Sequence, residues 1–122
     1  MDDLELAWQT YEFHSSKIYD LEQLHLSNLK KIKIFKQKRI APTESEKEKM
    51  VRAITRCCDN LIVHYKKQIN SIKDLIKIYK SNGDELELSI TDVDFLNELI
   101  DVTATLMEEM NKYKLEIKDL LS

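Results

Sequence analysis

Residues 41–48, APTESEKE, divide the chain into helices. Pro42 has no backbone N–H to donate, so it ends the helical pattern that precedes it. Thr43 and Glu46 stand three residues apart and match the capping box, in which each side chain bonds the other residue's backbone N–H. This stretch therefore predicts one long helix before Pro42 and a second that begins directly after Thr43.

The rest of the chain offers few other breaks, since it contains one Gly and one Pro. Gly83 marks the end of the second helix. Asp2 with Glu5 predicts the start of the first helix, and Thr91 predicts the cap of the third. We interpret residues 85–90, ELELSI, as an extended connector because no second strand is available to pair with them. The predicted fold class is all-α, with helices at about 3–39, 44–81 and 92–121.

Apolar residues recur at helical spacing on all three segments and form a broad core stripe on each. The first helix is the least regular, because His14, His25 and Asn28 occupy stripe positions. Short links make neighbouring helices antiparallel, so we expect an elongated up-down-up bundle that forms a single domain over residues 1–122. The layout resembles spectrin-type repeats and the N-terminal bundles of syntaxins in shape. That resemblance implies the fold only, since no motif of either family accompanies it.

Composition excludes several classes of protein. With 43% hydrophobic and 34% charged residues, the chain is neither membrane-spanning nor disordered in character. The acidic start MDDLELAW is not a signal peptide. We therefore expect a cytoplasmic protein, with the nucleus as the alternative. Cys57 and Cys58 are adjacent and are expected to be reduced thiols, one in the core and one at its edge.

No set of residues predicts catalysis or a metal site. Glu22 and His25 have the spacing of di-metal helical bundles, but such sites need the motif twice. Arg56 and His64 have seven residues between them, whereas one class of small helical ribonucleases has four to six. Cys57 lies too far along the helix from His64 to be activated by it. We expect a non-enzymatic protein with no cofactor, no metal and no small-molecule substrate.

Charge is distributed unevenly along the chain. Residues 1–26 carry six acids and one lysine, net −5; residues 27–83 carry fifteen basic residues and five acids, net +10; residues 84–122 carry eleven acids and three lysines, net −8. The end of the first helix forms what we call the basic tip, Lys30, Lys31, Lys33, Lys36, Lys38 and Arg39.

Lysines in the last turns of a helix also favour the negative end of its dipole, so part of this charge has a structural use. We expect the remainder to steer association with an acidic protein partner. Nucleic-acid binding through counterion release is an alternative, although the sequence lacks a recognisable nucleic-acid-binding motif. A membrane surface, with Ile34 and Phe35 as shallow anchors, is a weaker alternative.

Apolar residues outside the core stripe point to a docking surface on the first helix. Leu6, Phe13 and Ile34 share one outer heptad position, and Tyr19 and Leu26 share another. Either a partner covers them, or they form an ordinary exposed surface, or the register is wrong by one residue. The predicted anchors are Leu6, Phe13, Tyr19 and Leu26.

The resulting prediction is a protein–protein interaction module, or adaptor, that docks a partner helix or a second copy through its first helix. One alternative is a nucleic-acid-associated accessory protein, of the phage or chromatin type, that uses the basic tip. The other is a small helical partner or chaperone of a secreted or toxic protein.

Overall fold

The computed structural model describes residues 3–37, 42–81 and 90–121. They form three helices, α1 (Asp3–Gln37), α2 (Glu44–Ser81) and α3 (Ile90–Leu121). The described residues contain no strand, and α2 packs against both α1 and α3. The predicted all-α three-helix bundle is confirmed.

The cap of α2 has the predicted geometry. The backbone N–H of Glu46 donates to Thr43 Oγ1 at 3.1 Å, and the backbone N–H of Thr43 donates to Glu46 Oε1 at 3.5 Å. The backbone N–H of Lys47 also donates to the carbonyl oxygen of Thr43 at 3.0 Å. The first two bonds satisfy N–H groups that have no partner within the helix, and the third is the first i→i−4 bond, so together they fix where α2 begins.

The helix ends agree with the prediction at some positions and differ at others. The end of α2 at Ser81 was predicted, whereas α3 begins at Ile90 instead of residue 92, so Thr91 lies within its first turn. First-turn N–H groups need no intrahelical partner, so the helix takes in these β-branched residues at little cost. Predictions on Asp2, on residues 38–39 and 85–89, and on Gly83 fall outside the described residues.

The core shows that the bundle is up-down-up. Buried residues at one end of the bundle are Ala7, Ile76 and Leu96. Those at the other end are Ile32, Ile54 and Ile117. Residue numbers rise along α1 and α3 in the direction in which they fall along α2, so each helix is antiparallel to the next. Over the described residues, no helix has an apolar run of the length that a membrane crossing requires.

Helix α2 is the middle element, and its two cysteines lie against different neighbours. Both thiols are buried, whereas one had been expected at the edge of the core. Cys57 Sγ donates to the carbonyl oxygen of Leu21 in α1 at 3.4 Å. Cys58 lies in a buried cluster with Ile117 and Leu121 of α3 and Ile32 of α1. The prediction was wrong for Cys57 because α2 carries a wide apolar face that contacts two helices at once.

Candidate interaction surface on the first helix

The four predicted anchors lie on the exposed side of α1. The exposed fractions of Leu6, Phe13, Tyr19 and Leu26 range from 50% to 64%. Ile34 is exposed as well. That these residues contact a partner stays a prediction, but the bundle itself leaves them uncovered.

The anchors form two rows and not one. Leu6 and Phe13 are seven residues apart, and so are Tyr19 and Leu26. At about 100° per residue, the two rows lie roughly 140° apart around the helix axis. That width corresponds to the apolar stripe of a helix packed against neighbours, and is broader than the narrow seam of a two-stranded zipper.

Sequence reasoning missed Leu24, which is also exposed. It follows Leu6 by eighteen residues, which is five full turns of an α-helix, so both point in the same direction. This spacing was visible in the sequence. In a strict seven-residue repeat Leu24 shares its position with Thr10, Lys17 and Lys31 and is separated from Leu6, because a straight helix drifts about 20° per heptad from that repeat.

The first row borders the groove between α1 and α2. Leu6 lines a shallow groove of about 470 Å³ together with Ser71, Asp74 and Ile78 of α2. Phe13 rests edge-on against His14, with ring centroids 5.2 Å apart, and Lys17 Nζ lies 5.6 Å from the centroid of the Phe13 ring. The Phe13 ring is thus held in place from beneath, although more than half of it faces outward.

Beneath this surface, His14 and His64 join α1 to α2. Their Nδ1 atoms lie 3.1 Å apart, so one ring must donate and the other accept. Burial lowers the pKa of His14, and the nearby His64 and Lys67 lower it further. Burial also lowers the pKa of His64, with Lys67 and Lys17 adding to the effect. Both shifts favour the neutral form of the rings, and the shared hydrogen bond requires the accepting nitrogen to be unprotonated.

The other polar residues of the α1 stripe are buried with fewer partners. His25 packs edge-on against Tyr113 of α3, with ring centroids 5.1 Å apart. Burial lowers the pKa of His25, and the charge of Glu22 opposes that shift. His25 Nδ1 and Asn28 Nδ2 have no hydrogen-bond partner, and both atoms are shielded from solvent. His14 is therefore hydrogen-bonded, whereas the Nδ1 atom of His25 lacks a partner.

Three further side-chain hydrogen bonds join α1 to α2. Tyr65 Oη donates to Glu22 Oε1 at 2.8 Å. Gln68 Nε2 donates to Ser15 Oγ at 2.7 Å, which gives this polar residue of α2 a partner on α1. Near the end of the bundle, Trp8 Nε1 donates to Tyr79 Oη at 2.9 Å. Because these bonds spread over more than a dozen residues of α1, they hold its outer face in one orientation.

The basic tip is solvent-exposed over its described part. Lys30, Lys31, Lys33 and Lys36 are all exposed, and none pairs with a carboxylate among the described residues. Lys38 and Arg39 lie outside those residues. Across the link to α2, Lys47 pairs with Glu44 at 3.5 Å. The four lysines of α1 thus present uncompensated positive charge.

The sequence offered a few candidate residues for metal binding or catalysis, namely Glu22, His25, Arg56, Cys57 and His64. No group of three or more metal-ligating side chains occurs within residues 3–37, 42–81 and 90–121. Arg56 is exposed, while the thiols of Cys57 and Cys58 are buried. Burial raises the pKa of Cys57, and it raises the pKa of Cys58 to about 11. Both thiols therefore remain protonated near neutral pH, and a protonated thiol is a poor nucleophile.

No protein-family model, no curated protein and no solved structure matches the chain.

Proposed function

We propose that this chain is a non-enzymatic interaction module that docks another helix on the outer face of α1. The observation that carries the proposal is the distribution of exposed apolar side chains. Of ten large exposed hydrophobic residues in the described part of the chain, six lie on α1. These six are Leu6, Phe13, Tyr19, Leu24, Leu26 and Ile34.

Single exposed apolar residues are common on protein surfaces, but a row on one helix is not. From Leu6 to Ile34 these side chains extend over 28 residues, which is about 42 Å of helix at 1.5 Å per residue. A partner helix would cover such a row by placing apolar side chains between its members. The hydrogen bonds from α1 to α2 favour docking, because a surface that is already ordered loses little entropy on binding.

A matched pair of variants tests this proposal. Phe13→Asp places a charge in the middle of the row, whereas Leu115→Asp makes the same kind of change on α3, where the side chain is 81% exposed. Both variants should fold, since neither side chain is buried. We expect Phe13→Asp to abolish self-association and recovery of protein partners, and Leu115→Asp to leave both unchanged. Equal binding by the two variants would refute a docking role for α1.

Nucleic-acid binding is the second candidate function, and the exposed lysines of the basic tip favour it. Counterion release makes such binding fall steeply with salt, with a slope that reports the number of phosphate contacts. Replacing Lys30, Lys31 and Lys33 by Gln should then reduce both affinity and salt slope for duplex or single-stranded oligonucleotides. Binding that is absent at low salt would exclude this function.

We propose the cytoplasm as the location of this module. Two free, buried cysteines suit a compartment in which thiols stay reduced. Fractionation of the native cells tests this directly, and recovery from a secreted or membrane fraction would contradict it.

A further inference from the structure

We propose that the occupant of the α1 surface is a second copy of this chain, bound antiparallel to the first. This inference rests on the proposed docking function of α1 and names the partner. It follows from two properties of α1 that complement each other within the same helix, its charge and the spacing of its outer residues.

The charge of α1 reverses along its length. Residues 3–26 contain five acids and one lysine, net −4, and residues 27–37 contain four lysines and no acid, net +4. Two copies aligned in parallel would set like charges against each other over the whole helix. An antiparallel pair sets the acidic part of each copy against the basic part of the other. A two-fold axis perpendicular to the helices produces this arrangement and closes the assembly as a dimer.

The outer residues of α1 repeat every seven positions as pairs of neighbours. In chain order these pairs are Glu5-Leu6, Glu12-Phe13, Tyr19-Asp20, Leu26-Ser27 and Lys33-Ile34. All ten of these residues are exposed. Because the repeat is seven residues, successive pairs drift by only about 20° around a straight helix, and a shallow supercoil between two such helices removes that drift.

Reversing this series gives a complementary match. The first pair, Glu5-Leu6, then lies opposite the fifth, Lys33-Ile34 of the second copy, so a carboxylate meets an ammonium and Leu meets Ile. The second pair lies opposite the fourth, which brings Phe13 onto Leu26 of the second copy. The central pair, with Tyr19, meets itself at the two-fold axis. All of these matches need a single register, in which residue numbers on the two copies sum to about 39.

The register also accounts for the central acid. The two Asp20 carboxylates approach each other near the axis, where they would repel. Lys17 stands one turn away on each copy and supplies the compensating charge. Its Nζ already lies over the Phe13 ring, on the side of α1 where the row of Leu6 and Phe13 runs.

Charge-reversal variants test the orientation. In the antiparallel dimer, Glu5→Lys alone creates two Lys–Lys contacts, and Lys33→Glu alone creates two Glu–Glu contacts. Each change should raise the dimer Kd about tenfold in sedimentation equilibrium at low salt. An equal mixture of the two variants restores both opposite-charge contacts, so its Kd should return to within about threefold of the wild-type value. In a parallel dimer neither single reversal changes the number of like-charge contacts, so unchanged single variants would overturn the antiparallel arrangement.

Apolar variants separate this inference from the broader proposal. Phe13→Asp should raise the dimer Kd at least about a hundredfold, because the change occurs twice in a two-fold interface, and Leu115→Asp should not alter it. A wild-type chain that stays monomeric at 100 µM, a concentration of about 1.4 mg/ml, would overturn the second-copy inference. The docking function would then survive only if Phe13→Asp, and not Leu115→Asp, lost a different protein partner. A dimer indifferent to Phe13→Asp would refute both.

Discussion

Replacing Asn28 by Leu should make the protein more stable. Asn28 occupies a core position of α1, is 6% exposed, and holds an amide nitrogen with no hydrogen-bond partner. It borders a small groove of about 210 Å³ that is also lined by Met50, Ala53 and Ile54 of α2. A Leu side chain branches at the same carbon as Asn but is larger, and these neighbours would surround it with apolar atoms.

The magnitude follows from two terms. A buried donor without a partner costs about 1–3 kcal/mol, which the substitution removes. Burial of a Leu side chain contributes about 1.5–3 kcal/mol, part of which is offset by imperfect fit in the adjoining groove. We expect a net gain of about 1–3 kcal/mol in the free energy of unfolding. For a domain of this length, that gain raises Tm by roughly 4–12 °C.

Urea denaturation followed by circular dichroism at 222 nm measures this gain, because the described chain unfolds from helix to coil. Asn28→Asp is the matched control, since it keeps the size but buries a charge, and it should lower the free energy of unfolding by several kcal/mol. The solution mass is determined alongside, since a core Asn can also set the association state. An Asn28→Leu variant that unfolds at lower urea than the wild type would refute the reasoning that the amide is unsatisfied.

Three further predictions concern stability. The pKa of His14, His25 and His64 is lowered from 6.5 in the folded chain, so below about pH 6.5 the unfolded chain binds more protons and stability falls. The free energy of unfolding should fall by at most about 1.4 kcal/mol per pH unit for each histidine. Urea midpoints measured at pH 7.5, 6.5 and 5.5 would show no decline if the rings were already charged in the folded chain. Thr43→Ala removes the cap of α2 and should cost about 1 kcal/mol, with Thr43→Ser as the variant that retains it. Tyr65→Phe leaves the Glu22 carboxylate without its donor and should cost about 1–3 kcal/mol in the same urea assay, while a loss below 0.3 kcal/mol would mean that the bond contributes nothing.

The fold could be predicted from the sequence because its signals are local. Thr43 and Glu46 form their capping box within one turn, and no distant residue is needed to specify it. The stripe of α2 was predictable for the same reason, since helical periodicity alone places Ile54, Leu61 and Leu75 on one face. The exposure of Leu6 and Phe13 likewise follows from their position in the repeat.

What could not be predicted depends on contacts between helices. Nothing local says that His14 meets His64, because the pairing depends on the rotation and axial offset of α1 against α2. The same holds for Gln68, a polar residue of α2 whose hydrogen-bond partner is Ser15 of α1. The start of α3 was misplaced by two residues because capping preferences locate helix ends only to within that margin.

Chemical labelling of the two adjacent cysteines would report local opening of the bundle. Cys57 Sγ bonds the Leu21 carbonyl of α1, and Cys58 shares a buried cluster with Ile117 and Leu121 of α3 as well as Ile32 of α1. We therefore expect a thiol-specific reagent to reach the two cysteines at different rates when one outer helix moves away. Separation of α1 alone would label Cys57 first, and separation of α3 alone would label Cys58 first. Peptide mapping after brief labelling would then show whether α1 or α3 separates from α2 more often, without any engineered probe.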